Sequence, residues 1–182
     1  MDERLSVSHT YALKRELFRR GLAASYLAFD EQLEDEVVIE HVSLHARAGS
    51  VEADDWLRQY RSIAVKVMRL RHPNHVPIRD FWTDFRTAFF LVKQYDVGCL
   101  LDELLRPENA AGLTEATRTG LCKDLLQGLA ALHARDVLHR DVKPSGVYVR
   151  RGPDLVAQVD HYHLAVTAAD VYLDEQLCGT PL

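Results

Sequence analysis

Asp160, His161 and His163 gather one carboxylate and two imidazoles within four positions, a donor set suited to a transition metal. Two histidines without a third ligand at a defined spacing fall short of a metal motif. Cys99, Cys122 and Cys178 are odd in number and lack a CxxC pair, so they suggest neither a zinc site nor a disulfide framework and fit a reducing interior. The densest group of ionisable side chains is in VLHRDVKPSGVYV, residues 137–149, where His139, Arg140, Asp141 and Lys143 follow one another closely. Their position between a helical pattern and a hairpin pattern is a loop, where chemistry tends to concentrate.

The elements that must position this loop follow from hydrophobic periodicity. Short β-forming runs at 26–28, 37–39 and 89–92 predict strands of a small antiparallel sheet. Between the second and third runs, Trp56, Tyr60, Ile63, Ala64 and Val67 recur at helical spacing, and His72-Pro73-Asn74 ends that amphipathic helix. A short helix is expected over 100–105, stopped by Pro107. A longer one is expected over 114–135, capped by Thr114, with Leu121, Leu125, Leu129 and Leu132 on one face. Runs at 147–149 and 156–159 flank an Arg-Gly-Pro-Asp turn and predict a hairpin.

The 182 residues, 47% hydrophobic and 27% charged, can build a sizeable core, which excludes a disordered, collagen-like or coiled-coil chain. A net charge of -5 provides no global field for nucleic acid or an anionic membrane. No apolar run approaches the length of a membrane span, so the expectation is a cytoplasmic protein without membrane insertion.

Residues 137–149 closely resemble the catalytic loop of protein kinases, which reads H-R-D, then Lys two residues after the Asp in Ser/Thr-type members. LRHPNHVPIRDF is similar to the link from the family's helix C to its fourth strand. FFLVKQYDVGCLLDELL resembles the fifth strand, hinge and following helix, and LCGTPL the end of an activation segment. The resemblance implies an α+β, bilobal protein-kinase-like fold. It divides into an N-terminal extension at 1–10, an N-lobe with a small antiparallel sheet and helix C at 11–93, a hinge at 94–98, and a partial, mainly helical C-lobe at 99–182, truncated before the A-P-E element. It also implies that Asp141 orients a substrate hydroxyl and accepts its proton, that Lys143 neutralises the transferred phosphoryl group, and that His139 and Arg140 are structural or regulatory.

Several positions depart from the family pattern. Phe18, Arg20 and Ala23 fall where the phosphate-covering glycines belong, with Arg19 and Arg20 the cations that could draw an anion there. Glu40 stands at the phosphate-binding Lys of the V-A-I-K strand, which reverses the charge. Ile63 or Gln59 replaces the helix C Glu, and Arg58 or Arg61 is a candidate for a swapped pair with Glu40. Lys93, before the hinge, can send its head to water or to Glu40. Gly146 replaces the metal-binding Asn, and His161-Tyr162-His163 aligns with D-F-G, leaving Asp160 one residue early as a displaced ligand. Together these imply a pseudokinase that binds a protein partner and holds no confident cofactor or metal. The alternative is a divergent Ser/Thr kinase that uses ATP and magnesium. A leucine face left uncovered on the long helix would favour a dimer or a partner.

Overall fold

Val37, Ile39 and Val92 are β-branched and buried, Val37 and Ile39 flanking the half-buried Val38 and Val92 lying in a run buried from Ala88 to Lys93, as strands of a packed sheet require. In the computed structural model, which describes residues 11–20, 23–43, 51–84 and 88–167, they lie in a five-stranded antiparallel sheet. Its strands are β1 (Tyr11–Arg20), β2 (Ala23–Asp30), β3 (Asp35–Ser43), β4 (Ile78–Asp84) and β5 (Ala88–Gln94), in the spatial order β1-β2-β3-β5-β4. Ala28, Val37, Ile39, Ala88, Phe90 and Val92 form the core of one face. Tyr11 and Trp82 belong to opposite edge strands, yet their rings stack 5.9 Å apart, and Arg79 bonds Asp35 at 2.6 Å. The sheet therefore curls strongly on itself, as twisted sheets do when their edges approach.

Two compact units divide the chain. The sheet forms the first, and the second joins Asp55–Pro77 to the chain from Asp96 onward. In the second unit, α1 (Val51–Met68) buries Leu57, Tyr60, Ile63, Ala64 and Val67. The short strand β6 (Gly98–Leu100) is followed by two one-turn helices, α2 (Leu101–Leu104) and α3 (Pro107–Ala110). The expected single helix over 100–105 is thus corrected: Leu100 ends a strand, and Pro107 opens α3 because its fixed φ suits a first helical turn.

Helix α4 (Glu115–His133) starts as anticipated, with Thr114 Oγ1 accepting the Thr117 N–H at 3.1 Å. Leu121 packs with Val147, Val149 and Ala157 of the hairpin β8 (Val147–Arg150) and β9 (Val156–Val159). Leu132 is also buried and Leu125 half-buried, whereas Leu126 is 67% exposed. Between α4 and β8, β7 (Val137–Leu138) pairs with β10 (Val166–Thr167), which brackets both predicted site segments. Among the described residues, no helix is long and apolar enough to cross a membrane.

Candidate catalytic-loop and phosphate-anchor sites

In the first unit, Glu40 pairs across β3 and β5 with Leu91, and Val38 pairs with Lys93. Glu40 and Lys93 are therefore diagonal neighbours on one sheet face, close enough for long side chains to meet. The Lys93 ammonium donates to the Glu40 carboxylate, with the side chains 3% and 1% exposed. Of the two options for the Lys93 head, Glu40 is the one it takes, and Arg58 and Arg61 are exposed on α1. A buried charge of either sign is tolerated only when matched, so each residue makes the other affordable.

The glycine-loop positions lie in strands, just past a register shift between Glu16 and Phe18. Phe18 opposes Ser25 and Arg20 opposes Ala23 in the β1–β2 ladder, with Phe18 half-buried. Arg19, a candidate anion-binding cation, donates to Glu16 at 2.7 Å and to the Tyr26 hydroxyl at 2.8 Å. Its charge is engaged within the sheet. Residues 21–22 and the LCGTPL stretch lie outside the described residues.

In the second unit, the catalytic-loop string leaves β7 and turns at once. His139 is buried; its Nε2–H donates to the Asp160 carbonyl at 2.7 Å, and its Nδ1 accepts the Asp141 N–H at 3.3 Å. Burial holds its pKa below the ordinary imidazole value, and the two bonds fix the neutral tautomer. Arg140 has φ 64°, a left-handed backbone that a non-glycine residue adopts at a cost of roughly 1–3 kcal/mol. Its side chain lines a cavity of about 80 Å³ with Trp56, Gln59, Tyr60 and His163. Asp141 is buried and accepts from the Lys143 ammonium at 2.6 Å, and His163 Nε2 lies 3.8 Å from the same carboxylate oxygen. The loop thus brings Asp141, Lys143 and His163 together.

Gly146 closes a 3-10 turn, Pro144–Gly146, and its carbonyl accepts the Asp160 N–H at 3.2 Å. Asp160 Oδ2 is 4.0 Å from His161 Nε2, and His161 is left-handed at φ 60°. Magnesium asks for near-octahedral oxygen ligation. Gly146 has no side-chain donor and position 161 offers an imidazole, so Asp160 is the one oxygen ligand left among these positions. The residues at the family's two metal positions do not fit magnesium. In the mixed Asp160, His161 and His163 set, the two rings stand edge to face with a ligand nitrogen of each within 4.8 Å of the other's, and His163 Nε2 also approaches Asp141.

Sequence reasoning gave His75 no role and placed Tyr162 only as the middle residue aligned with D-F-G. His75 Nε2–H donates to the Gly128 carbonyl on α4 at 2.7 Å. Tyr162 donates to the Val159 carbonyl at 2.7 Å, with its oxygen also 2.7 Å from His75 Nδ1. Val76 N–H and Val159 N–H complete the junction through the carbonyls of Val159 and Asn74, at 3.2 and 2.9 Å. A histidine in an ordinary loop and an aromatic in a turn carry no spacing signal for such a lock.

Burial, the largest influence, pushes the His75 pKa down to about 4. The folded state therefore favours the neutral ring, while the unfolded chain takes up a proton near pH 6.5. Stability should be full above that pH and fall on acidification toward about 4, by roughly 3 kcal/mol if His75 alone is responsible. Urea midpoints should drop between these pH values, and His75→Gln should flatten the slope. An equal slope in the variant would assign the acid sensitivity elsewhere.

The protein kinase domain family matches residues 20–175. The chain belongs to the protein kinase family. Among this kinase domain's relatives, the Ser/Thr-protein kinase PksC of Streptomyces coelicolor is 30% identical over 148 residues, covering 78% of this chain and 26% of the relative. The probable Ser/Thr-protein kinase pknA2 of Bifidobacterium longum is 27% identical over 173 residues, covering 93% and 22%. The DNA damage response protein kinase DUN1 of Saccharomyces cerevisiae is 24% identical over 190 residues, covering 91% and 36%. This kinase domain thus spans about a quarter to a third of the length of these relatives.

Proposed function

We propose that the chain is a pseudokinase: a kinase-family domain that has given up nucleotide phosphate binding and acts by binding another protein. The observation that carries this reading is the buried Glu40–Lys93 pair. A carboxylate occupies the family's phosphate-anchor position, and the nearby cation is consumed in neutralising it. For two unit charges about 4 Å apart, changing attraction to repulsion removes roughly 4 kcal/mol at an effective dielectric of about 20 and adds a similar cost. The missing oxygen ligands at Gly146 and His161 support the same conclusion. A cytoplasmic setting and a partner or second copy on the α4 face that exposes Leu126 belong to this reading.

The Asp141–Lys143 contact favours one alternative, a divergent Ser/Thr kinase with Asp141 as base and Lys143 as phosphoryl clamp. Phosphotransfer from ATP to a generic protein substrate separates the two. We expect no magnesium-dependent transfer above background. Robust transfer that Asp141→Asn abolishes would overturn the pseudokinase reading.

A further inference from the structure

The 19 residues of α4 hold four charged side chains, Glu115, Arg118, Lys123 and Asp124. A helix on a protein surface turns an apolar stripe to the core and a polar face to water, whereas one that is apolar all round is covered on both sides. Helix α4 is of the second kind. Leu121, Gly128 and Leu132 are buried on one face. At about 100° per residue, the opposite face carries Thr119, Cys122, Leu126 and Ala130 in line. All four are exposed, Leu126 by 67%. The result is an uncharged ridge about 17 Å long at about 1.5 Å per residue, with one large apolar anchor among small side chains.

We propose that this face of α4 docks an amphipathic helix of a protein partner whose apolar stripe is rimmed by Asp and Glu. The charges beside the ridge select that occupant. Arg118 and Lys123 stand about 80° and about 60° to either side of Leu126, and both are exposed. Arg118 donates to the Ala110 carbonyl at 3.1 Å, a neutral acceptor that leaves its charge unbalanced. Lys123 forms no hydrogen bond or ion pair among the described residues. Of the two carboxylates, Asp124 is half-buried and accepts the Ala157 N–H at 3.0 Å, and Glu115 lies in the first turn. Both flanks of the ridge are therefore positive. A second copy of α4, whichever way it ran, would set cation beside cation along the seams. A partner helix with leucines at i, i+3 and i+7 lays them beside Leu126, over the small Cys122 and Ala130 that let the axes approach to about 8–10 Å. Carboxylates at its flanking positions then face Arg118 and Lys123. An anionic membrane would meet a chain of net charge -5 and one exposed leucine on this face. The proposal rests on the reading of the chain as a protein-binding module and names the chemistry of the partner. It stands apart from the loss of nucleotide binding, because α4 holds none of the nucleotide-site positions.

The test is fluorescence anisotropy of a labelled helical peptide of two heptads against the full chain. The peptide has Leu at the a and d positions, Glu at e and g and Ala elsewhere, and a second peptide carries Lys in place of Glu. The wild type is expected to bind the Glu peptide and to prefer it over the Lys peptide by at least about tenfold. Leu126→Glu should lose at least about tenfold for the Glu peptide, because it removes the anchor. Lys123→Glu should weaken the Glu peptide and strengthen the Lys peptide. Leu33→Glu, at a leucine 65% exposed in the sheet unit, should stay within about twofold. Thermal melts of the three variants verify folding, since all three side chains are exposed. Absence of peptide binding, no preference for the Glu peptide, or equal losses in Leu126→Glu and Leu33→Glu would overturn the proposal. So would Leu126-dependent self-association in sedimentation, or Leu126-dependent binding of phosphatidylserine vesicles, stronger than the binding of the peptide. Magnesium-dependent ATP binding by a chain that still takes the peptide would refute the loss of nucleotide binding and leave the α4 site standing.

Discussion

Replacing Lys93 with methionine is expected to destabilise the protein by about 3–5 kcal/mol. Methionine matches the length of the lysine stem, so packing changes little and the loss comes from Glu40, left 1% exposed without its cation. Removing both charges in Lys93→Met, Glu40→Leu should recover most of that loss, because a well-packed apolar pair is often as stable as a buried ion pair. Urea denaturation of the two single variants and the double gives the coupling directly. A cost below about 1 kcal/mol for Lys93→Met would be the value of an exposed pair and would contradict the buried arrangement.

The second large effect is a contrast between two glycines on α4. At Gly128 a Cβ would lie 2.7 Å from the Asn74 carbonyl oxygen and 2.8 Å from Val159 Cγ2, whereas at Gly120 nothing lies within 4 Å. Backbone cannot turn aside as a flexible side chain can. Gly128→Ala must therefore push α4 away from the 74–76 loop and β9, where His75 and Val159 make their bonds. We expect a loss of about 2 kcal/mol or more, after roughly 1 kcal/mol of gained helix propensity is deducted. Gly120→Ala has only the propensity gain and should stabilise by about 0.5–1 kcal/mol. Opposite signs for one substitution on one helix are the signature; a stabilising Gly128→Ala would mean that the helix does not sit this close.

Local chemistry made much of this fold legible before any coordinates. The catalytic-loop string, the Thr114 cap and the 147–159 hairpin depend on residues near one another in sequence, and each lies where its pattern places it. Contacts across long sequence separations were less legible. Glu40 and Lys93 are 53 residues apart, and their partnership depends on the register of β3 against β5, which the pattern of either strand alone does not specify. His75 and Tyr162, 87 residues apart, meet through a loop pinned to β9, a relation with no sequence period behind it. The short strand β6 and the turn into α3 were hidden because leucine runs suit either element.

The most direct test of the central claim is a thermal-shift titration of this chain with ATP, with and without magnesium. A ligand that binds only the folded state stabilises it by about 2.7 kcal/mol at a hundredfold excess over its dissociation constant, which raises the melting temperature by several degrees. With Glu40 at the anchor position, Lys93 occupied and no oxygen donors at Gly146 or His161, the predicted melting temperature is unchanged at millimolar nucleotide. A magnesium-dependent rise, lost when Asp160 is replaced by asparagine, would contradict the account and restore a working nucleotide site.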